Sequence, residues 1–353
     1  MAENSKKPRI RFKGFTEEWE QRKLNEVSSY EASNLTAQDN NLNGHYDLYD
    51  ANELIGKTDK SYIKKDYISI IKDGAGVGRI RKLPQNTAIL GTMGAIKPEN
   101  CNYKFLYTLL EKADLGHSFS GSTIPHIYFK DYGENSYLIP DKKEQEQIGK
   151  LFDNLDSLIA LHQRKYDKLS NVKKALLEKM FPKNGENIPK IRFKGFTEAW
   201  EQRKVGNIAN TTIGEFVIKT KQNPSSPYPV YNGGISYTGF YDDFNNEGNK
   251  IIISARGANA GFVNVVKSRY WAGNSCYSVD INNKLEFDLD FIYQEMKRNQ
   301  NRFIENQQAA NIPSVSKTDV EKFELVTPSY TEQVKIGYFF NNLDSLIALH
   351  QRE

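Results

Sequence analysis

Two glycine-containing stretches of this 353-residue chain resemble nucleotide-binding motifs, and neither is complete. Residues 51–58 (ANELIGKT) end like a phosphate-binding P-loop, but Ala51 replaces the first glycine and no apolar strand precedes it. Gly74, Gly76 and Gly78 lack the third glycine of a dinucleotide-binding fingerprint. A tight turn between two strands explains these glycines better, because glycine readily accepts the positive φ angles that such turns need.

Signatures of nucleic-acid chemistry are also incomplete. Adenine methyl transfer would be expected to use an Asn-Pro-Pro-Tyr or Asn-Pro-Pro-Phe loop, and the nearest match is residues 223–226 (NPSS). A metal-dependent nuclease needs clustered carboxylates and a lysine, and no Asp-x-Lys or Glu-x-Lys follows Pro140-Asp141 within 30 residues beyond its own overlapping Asp-Lys-Lys. The five histidines have no metal-ligand spacing: His45, His117, His126, His162 and His350. We therefore predict that the chain is not catalytic by itself and holds no metal.

The chain duplicates two motifs in the same order. Residues 8–23 (PRIRFKGFTEEWEQRK) return at residues 189–204 with two changes, and residues 154–164 (NLDSLIALHQR) return unchanged at residues 342–352. A repeat on this scale predicts two units of about 180 residues, each opening with the first motif and closing with the second. The tryptophans of the opening motif, Trp19 and Trp200, are expected to anchor each unit onto its closing element.

The closing motif belongs to a long amphipathic helix. Apolar residues recur at helical spacing from residue 143 to residue 180, with no proline and no glycine after Gly149, and a helix of this length would span about 57 Å. Each stripe needs a partner, and the simplest partner is the other copy, packed antiparallel. The second copy ends at Glu353, so we expect its helix to be incomplete. The residues expected to pack there are Ile148, Phe152, Leu155, Ile159, Ile336, Phe340, Leu343 and Ile347.

Between the repeated motifs, regions 32–140 and 210–328 differ strongly in side chains while sharing a pattern of elements. Each predicts a strand, a glycine turn, a second strand, a segment of small residues, a helix and an Ile-Pro pair. The first strand falls at 67–72 and 250–254 in the two regions, and the helix at 102–113 and 289–303. The second strand begins at Arg79-Ile80 in the first region and at Phe262-Val263 in the second. Shared elements with different side chains indicate one scaffold that carries two different binding surfaces.

Composition sets broad limits on partners and compartment. The formal net charge is +4 and the pI is about 8.7, a weak indication of a polyanionic partner. Seven basic residues between Gln163 and Lys183 form either a solvated helix face or a phosphate or partner contact. Cys101 and Cys276 give no reason to pair, which fits a reducing cytosol. With no signal peptide and no long apolar run, we expect a soluble cytoplasmic protein with no membrane partner.

Together these motifs resemble the specificity subunit (HsdS) of type I restriction-modification enzymes over essentially the whole chain. The resemblance rests on the duplicated RFKGF-x-E-x-W-E-x-R-K opening, the GAGVG and GANAG turns, the GSTIPHI and AANIPSV segments, and the EQ-x-x-IG-x-x-F-x-NLDSLIALHQR helices. It implies an α+β chain with two similar mixed α/β target recognition domains, separated by long helical spacers that form an antiparallel coiled coil with pseudo-twofold symmetry. The domains would span residues 1–142 and 183–330, and the spacers residues 143–182 and 331–353.

The resemblance also implies a function and partners. Each domain would read one half of a bipartite target in double-stranded DNA. Two modification (M) subunits would bind the assembly and methylate adenine with S-adenosylmethionine, and restriction (R) subunits would add cleavage that uses ATP and Mg²⁺. This chain itself would need no cofactor. The incomplete second spacer puts the full coiled coil, and the docking of one partner, in doubt.

Under this interpretation the base-reading candidates are polar and aromatic residues in the turns and loops of the two divergent regions. Arg and Lys suit phosphate or guanine, whereas Asn and Gln suit adenine. In the first unit they are Lys72, Arg79, Arg81, Lys82, Thr92, His117, Ser120, Ser122, Thr123 and His126. In the second they are Arg256, Asn259, Asn274, Ser275, Tyr277, Gln307, Gln308, Asn311 and Ser314. His126 and Ser314 stand out, because both follow an Ile-Pro pair and differ in chemistry.

Two alternatives stay open from the residues alone. Each candidate also has an ordinary turn or surface role, and His162 and His350 on the apolar stripe are expected to be hydrogen-bonded core residues rather than a pH switch. The chain as a whole is also compatible with a protein-interaction scaffold of two α/β domains on a helical strut, with no role on DNA. A self-contained restriction enzyme is disfavoured because no active site is visible.

Overall fold

The computed structural model describes residues 6–41, 43–118, 125–183, 185–305 and 313–352. The chain divides into two compact units, Met1–Ala160 and Leu161–Glu353. Among the described residues, no helix is long and apolar enough to cross a membrane. The boundaries expected for domains and spacers from the sequence stay a prediction.

Both units contain the same elements in the same order, which confirms the expected mixed α/β character. The first contains β1 (Glu20–Lys23), α1 (Leu24–Val27), β2 (Ser28–Ala32), β3 (Tyr46–Tyr49), β4 (Leu54–Thr58), β5 (Tyr67–Ile71), β6 (Ile80–Leu83), β7 (Thr87–Ile89), β8 (Met93–Pro98), α2 (Tyr103–Ala113), α3 (Phe129–Tyr132), β9 (Ser136–Ile139) and the start of α4 (Lys142–Met180). The second contains the end of α4, then β10 (Glu201–Lys204), α5 (Val205–Ile208), β11 (Ala209–Ile213), β12 (Tyr228–Tyr231), β13 (Gly239–Tyr241), β14 (Lys250–Ser254), β15 (Val263–Val266), β16 (Trp271–Ala272), β17 (Cys276–Ile281), α6 (Leu289–Arg298), α7 (Lys317–Lys322), β18 (Glu324–Thr327) and α8 (Tyr330–Arg352).

Sheet topology is likewise repeated. A four-stranded antiparallel sheet has the order β2-β8-β5-β6 in the first unit and β11-β17-β14-β15 in the second. A three-stranded sheet, β4-β3-β7 or β13-β12-β16, contains one parallel pair, and β1-β9 or β10-β18 forms a two-stranded ladder. The central strands β5 and β14 are almost wholly buried, and each contains three isoleucines.

Glycine allows the turn that follows each central strand. Gly78 has φ of +84°, and a Cβ there would lie 2.3 Å from the backbone nitrogen of Gly116. Gly261 has φ of +82°, and its Cβ would lie 2.9 Å from that of Phe303. Any other residue would be strained and would clash, so the expected strand, glycine turn and strand are confirmed in both units.

The predicted long helix is α4, whose 39 residues span about 58 Å. From Leu161 onward it packs antiparallel to α8 within the second unit. Lys173 Nζ lies 2.5 Å from Asp344 Oδ1, and Leu169 and Leu176 pack against the core cluster that contains Phe340. The expected antiparallel packing of two spacer helices is confirmed for this stretch.

A buried ion pair joins the opening motif of each unit to its closing helix. Arg11 donates two hydrogen bonds of 2.7 Å to the carboxylate of Glu144 in the first unit. Arg192 makes the same pair of 2.7 Å bonds with Glu332 in the second. Both glutamates are almost fully buried, and the hydrogen bond that each arginine makes to its glutamate raises the pKa of that arginine. Each unit is therefore closed on itself by its two duplicated ends.

The tryptophans of the opening motif, like the arginines, contact the rest of their units, as expected for anchors. Trp19 donates its indole N–H to Glu144 Oε2 at 3.1 Å and packs edge-on against Phe105. Trp200 is 2% exposed and packs against Phe181 and Phe291. The second tryptophan thus lies deeper in its core than the first, and its indole N–H has no hydrogen-bond acceptor among the described residues.

The glutamine and glycine of the EQ-x-x-IG segment, which precedes the closing motif in each closing helix, hold the helix α2 or α6. Gln145 Oε1 accepts from the backbone N–H of Asn102, and Gln333 Oε1 accepts from that of Asp288. Asn102 and Asp288 are the N-caps of these helices, so the glutamine fixes the position of the helix start. Gly149 lets α4 approach α2 closely, and Gly337 lets α8 approach α6. A Cβ at Gly337 would lie 2.8 Å from the backbone nitrogen of Phe291 in α6.

Breaking the ion pair of the second unit is expected to destabilise it strongly. Glu332→Gln leaves the Arg192 guanidinium, which is 11% exposed, without its charge partner, and we expect a loss of about 3 kcal/mol in the free energy of unfolding. Glu201→Gln is the matched control, because Glu201 pairs with Arg203 at the surface and its loss should cost less than about 1 kcal/mol. Urea unfolding of both variants measures the difference; equal stabilities would contradict a structural role for the buried pair.

Candidate nucleic-acid interface

The two turns after the central strands face a second segment through the same backbone pairing. In the first unit, Gly74 N–H donates to Pro125 O and Ile127 N–H donates to Lys72 O, both at 3.0 Å. In the second unit, Gly257 N–H donates to Pro313 O at 3.0 Å and Val315 N–H to Ala255 O at 2.8 Å. These bonds place Asp73 opposite His126 and Arg256 opposite Ser314 as isolated antiparallel bridges. We call these two bridged sites the paired turns.

The paired turns carry different chemistry on this shared backbone. His126 Nδ1 lies 2.6 Å from Asp73 Oδ1, and both side chains are about one-third exposed. The exposed Tyr128 ring stacks on His126, with ring centroids 6.3 Å apart. Lys130 Nζ lies over the Tyr128 ring, 5.4 Å from its centroid. In the second unit the equivalents of Asp73 and His126, Arg256 and Ser314, are both exposed.

Other base-reading candidates lie beside each of the paired turns. Thr92 O accepts from Lys72 N–H, and Ser275 O accepts from Ala255 N–H, so Thr92 and Ser275 occupy equivalent positions. The side chain of Thr92 is exposed, whereas Asn274 and Ser275 are half-buried. Lys72 is half-buried near Asp73, with its Nζ 3.9 Å from Oδ2. Asn259 is exposed in the turn itself. The structure therefore brings these residues together around the paired turns.

Arg79 and Arg81 hold a neighbouring loop through backbone acceptors. Arg79 donates to Ala51 O and to Asn52 Oδ1, the latter at 2.8 Å. Arg81 donates to Asn52 O at 2.9 Å and Asp50 O at 3.0 Å. The P-loop-like stretch thus starts in a loop whose backbone carbonyls accept hydrogen bonds from Arg79 and Arg81.

Lys82 and His117 pair with carboxylates outside the paired turns, whereas Tyr277 lies near Arg256 of the second paired turn. Lys82 pairs with Asp153 of α4 at 2.8 Å, and hydrogen bonds from Lys104 and Lys82 lower the pKa of Asp153. His117 is exposed and pairs with Asp114 at 2.9 Å. Tyr277 belongs to the core of the second unit, and burial raises its pKa. Ser120, Ser122, Thr123, Gln307, Gln308 and Asn311 lie outside the described residues.

Sequence reasoning missed three residues that the fold brings to these sites. Asp73 is the partner of His126, and its only signal is its place directly before the first glycine of the turn. Tyr128, two residues after His126, carries an exposed ring beside the imidazole. Asn232 accepts the backbone N–H of Ser275 through Oδ1 at 3.0 Å, a contact across 43 residues that no local pattern announces.

Among the packing candidates, the two copies differ in burial. Ile336, Phe340 and Leu343 are at most 8% exposed, and Ile347 packs against the same core. Ile148 packs against the core of the first unit. However, Phe152 and Leu155 are each 42% exposed and Ile159 is 64% exposed. The repeated stripe is therefore covered in the second unit and open along part of α4.

Known proteins share both sequence and fold with this chain. The family model for the type I restriction modification DNA specificity domain matches twice, at residues 16–171 and 197–353. A putative type I specificity subunit of Mycoplasma genitalium is 26% identical over 161 residues, which cover 43% of this chain and 42% of that protein. A putative type I restriction enzyme specificity subunit of Methanocaldococcus jannaschii is 24% identical over 234 residues, or 61% of this chain and 54% of that protein. The matches span about half the length of these relatives.

A solved structure supports the same fold. The crystal structure of a type I restriction-modification S subunit from M. genitalium superposes with a TM-score of 0.72 at 20% identity, and covers 99% of this chain and 94% of that one. The family model confirms the resemblance seen in the sequence, and the solved structure shows the same fold. Because the family model matches both repeats and most of the chain, the protein belongs to the family of type I restriction-modification DNA specificity domains and carries two of them.

Proposed function

We propose that this chain is the non-catalytic DNA-recognition subunit of a type I restriction-modification complex, in which each domain reads one half of a bipartite, asymmetric target in double-stranded DNA. The observation that supports this most directly is the pair of turns. One backbone arrangement presents Asp73 with His126 in one unit and Arg256 with Ser314 in the other. Such a difference on a common scaffold is what two different half-sites require.

The exposed groups suit base edges and phosphates. A histidine held by an aspartate presents a defined donor or acceptor, and Tyr128 adds an aromatic face. The guanidinium of Arg256 can bind guanine O6 and N7 or a phosphate, and Asn259 suits adenine N6 and N7. Each single contact discriminates by only about 1 to 3 kcal/mol, so joining two readers on one chain multiplies specificity.

Partner subunits would supply the chemistry. Modification subunits would methylate adenine with S-adenosylmethionine, and restriction subunits would cleave with ATP and Mg²⁺. The proposed boundaries are target recognition domains at residues 1–142 and 183–330, with spacers at 143–182 and 331–353. The two spacers would set the distance between half-sites.

The open part of the α4 stripe is the proposed docking surface for a modification subunit. Phe152, Leu155 and Ile159 expose apolar surface at positions whose copies in α8 are covered. Large exposed apolar side chains that lie on one helix face mark interaction sites. The family to which the chain belongs acts together with other subunits, so we assign this face to one of them.

Exchange of one divergent region tests the bipartite model. Replacing residues 32–140 with the corresponding region of another family member should change one half-site and leave the other half and the gap intact, because the second reader is untouched. Methylome sequencing of a host that expresses each version with its modification and restriction subunits reports both halves at once. A single contiguous motif, or a change in both halves, would refute the model.

Single substitutions at the paired turns should act on one half-site each. His126→Ala and Arg256→Ala should each weaken binding of the assembled complex by about 1 to 3 kcal/mol and relax sequence preference at one position. Binding is measured with target duplexes that carry each base at that position, at two salt concentrations. A phosphate contact would instead weaken all duplexes alike and lower the salt slope by about one.

His45→Ala is the matched control for the first unit. His45 is an exposed histidine paired with an aspartate, Asp59, as His126 is paired with Asp73, but it belongs to the loop before β3. It should bind every duplex as the unsubstituted complex does. If His45→Ala and His126→Ala behave alike, the assignment of His126 as a base reader fails.

Equivalent substitutions in α4 and α8 should differ in their effects: the one in α4 should impair assembly, and the one in α8 should impair stability. Phe152→Asp is expected to lower the free energy of unfolding by only about 1 kcal/mol, because 42% of the residue is already exposed to solvent. It should abolish co-purification with modification subunits. Phe340→Asp buries a charge among Phe181 and Phe339 and should cost more than about 3 kcal/mol. Urea unfolding and co-purification measure the two effects, and normal assembly of Phe152→Asp would contradict the docking surface.

A further inference from the structure

The duplicated helices bring together two histidines that are 188 residues apart in the chain. His162 of α4 and His350 of α8 occupy the same position of the repeated NLDSLIALHQR motif. Because the helices run antiparallel, the motif meets its own copy at this point, and the two Nδ1 atoms lie 3.1 Å apart. Both rings are partly buried, and they are tilted by 53° rather than stacked.

We propose that His162 and His350 form a binding site for a divalent transition-metal ion that links α4 to α8. Neutral imidazole is a preferred ligand of Zn²⁺, Cu²⁺ and Ni²⁺. Two histidine nitrogens at the usual Zn–N distance of about 2.0 to 2.1 Å in a tetrahedral site lie roughly 3.3 Å apart. The observed 3.1 Å separation needs only a small ring movement to reach this value.

Proton positions are compatible with metal binding. In the metal-free pair, one Nδ1 donates a hydrogen and the other accepts it, since their contact is a hydrogen bond. The ring that donates would move its proton from Nδ1 to Nε2, so both rings stay neutral and both Nδ1 lone pairs face the ion. The ion would lie to one side of the line between the two Nδ1 atoms, so each ring would turn to direct its lone pair at the ion.

The described part of the chain supplies two protein ligands to this site. Among the residues that the structure describes, no group of three or more histidine, cysteine, aspartate or glutamate side chains converges, so water would complete the coordination. Ile347 packs against the core of the second unit just before His350, and Lys173 pairs with Asp344 on the same two helices. These contacts hold both helices in register, so the ligands are positioned before the ion arrives. Lys165 is exposed, and salt screens its repulsion of a cation.

Sequence patterns do not predict this site, because ligand motifs are recognised by short spacing and these residues are 188 positions apart. A bound ion would cross-link the spacer helices and stiffen them. It would stabilise the folded second unit, because the site does not exist when the helices separate.

Titration of the full-length, metal-stripped chain with Zn²⁺ alone tests the proposal. Calorimetry should show one saturable site, and His162→Gln and His350→Gln should each weaken it at least about tenfold, because each removes one of two protein ligands. His350→Cys should retain binding, since a thiolate also ligates Zn²⁺. His117→Gln, which changes an exposed histidine paired with Asp114, is the matched control and should bind as the unsubstituted chain does.

A second measurement reads the ligands directly. The electron paramagnetic resonance spectrum of bound Cu²⁺ should show coupling to two imidazole nitrogens in the unsubstituted chain and to one in each single variant. Circular dichroism establishes that the variants keep their helices. The proposal is wrong if the unsubstituted chain has no saturable Zn²⁺ site, or if the His162→Gln/His350→Gln double variant binds Zn²⁺ as tightly as the unsubstituted chain.

Discussion

The buried arginine–glutamate pair is the interaction on which each unit depends. It joins the first motif of a unit to the helix that closes it, across 133 residues in one case and 140 in the other. A buried pair of this kind adds little net stability, because desolvation offsets much of the attraction, but the loss of one partner is costly. Its two parallel hydrogen bonds also fix direction. The pair therefore determines where the helix lies against its domain, and the neighbouring glutamine carries that placement to the start of α2 or α6.

This arrangement explains why the ends of each unit are repeated while the middle differs. The ion pair, the glutamine at the helix cap and the helix glycine leave no room for substitution, since each contact is buried or sterically closed. The paired turns are held by backbone hydrogen bonds instead, which do not depend on side-chain identity. Asp73 and His126 can thus be exchanged for Arg256 and Ser314 without disturbing the sheet. Side-chain contacts stabilise the fold, whereas backbone contacts hold the turns that carry the variable side chains. This separation allows two different surfaces on one fold.

The sequence was sufficient for the architecture and insufficient for the roles of single residues. Helix α4, the strand–glycine–strand units and the equivalence of His126 with Ser314 follow from periodicity and repeats, which are local signals. The fates of Arg79 and Lys82 were not predictable, because the carbonyls and carboxylates that bind them lie 27 to 71 residues away. The sequence pattern of a basic residue at a turn is the same whether its side chain faces solvent or a hydrogen-bond acceptor. Only the folded structure shows which of the two environments a basic residue has. The fold also brings His162 into contact with His350.

Unequal burial of identical sequence shows how the repeat becomes asymmetric. Phe152 and Phe340 stand at the same place in the duplicated helices, yet one is 42% exposed and the other is fully buried. The difference arises because the end of α4 and Phe181 cover α8, and no described segment covers residues 151–161 of α4 in the same way. Each large apolar side chain left in water forgoes about 1.5 to 3 kcal/mol of burial. Binding of the modification subunit proposed for this face would recover part of that free energy, so the asymmetry of the repeat would serve assembly.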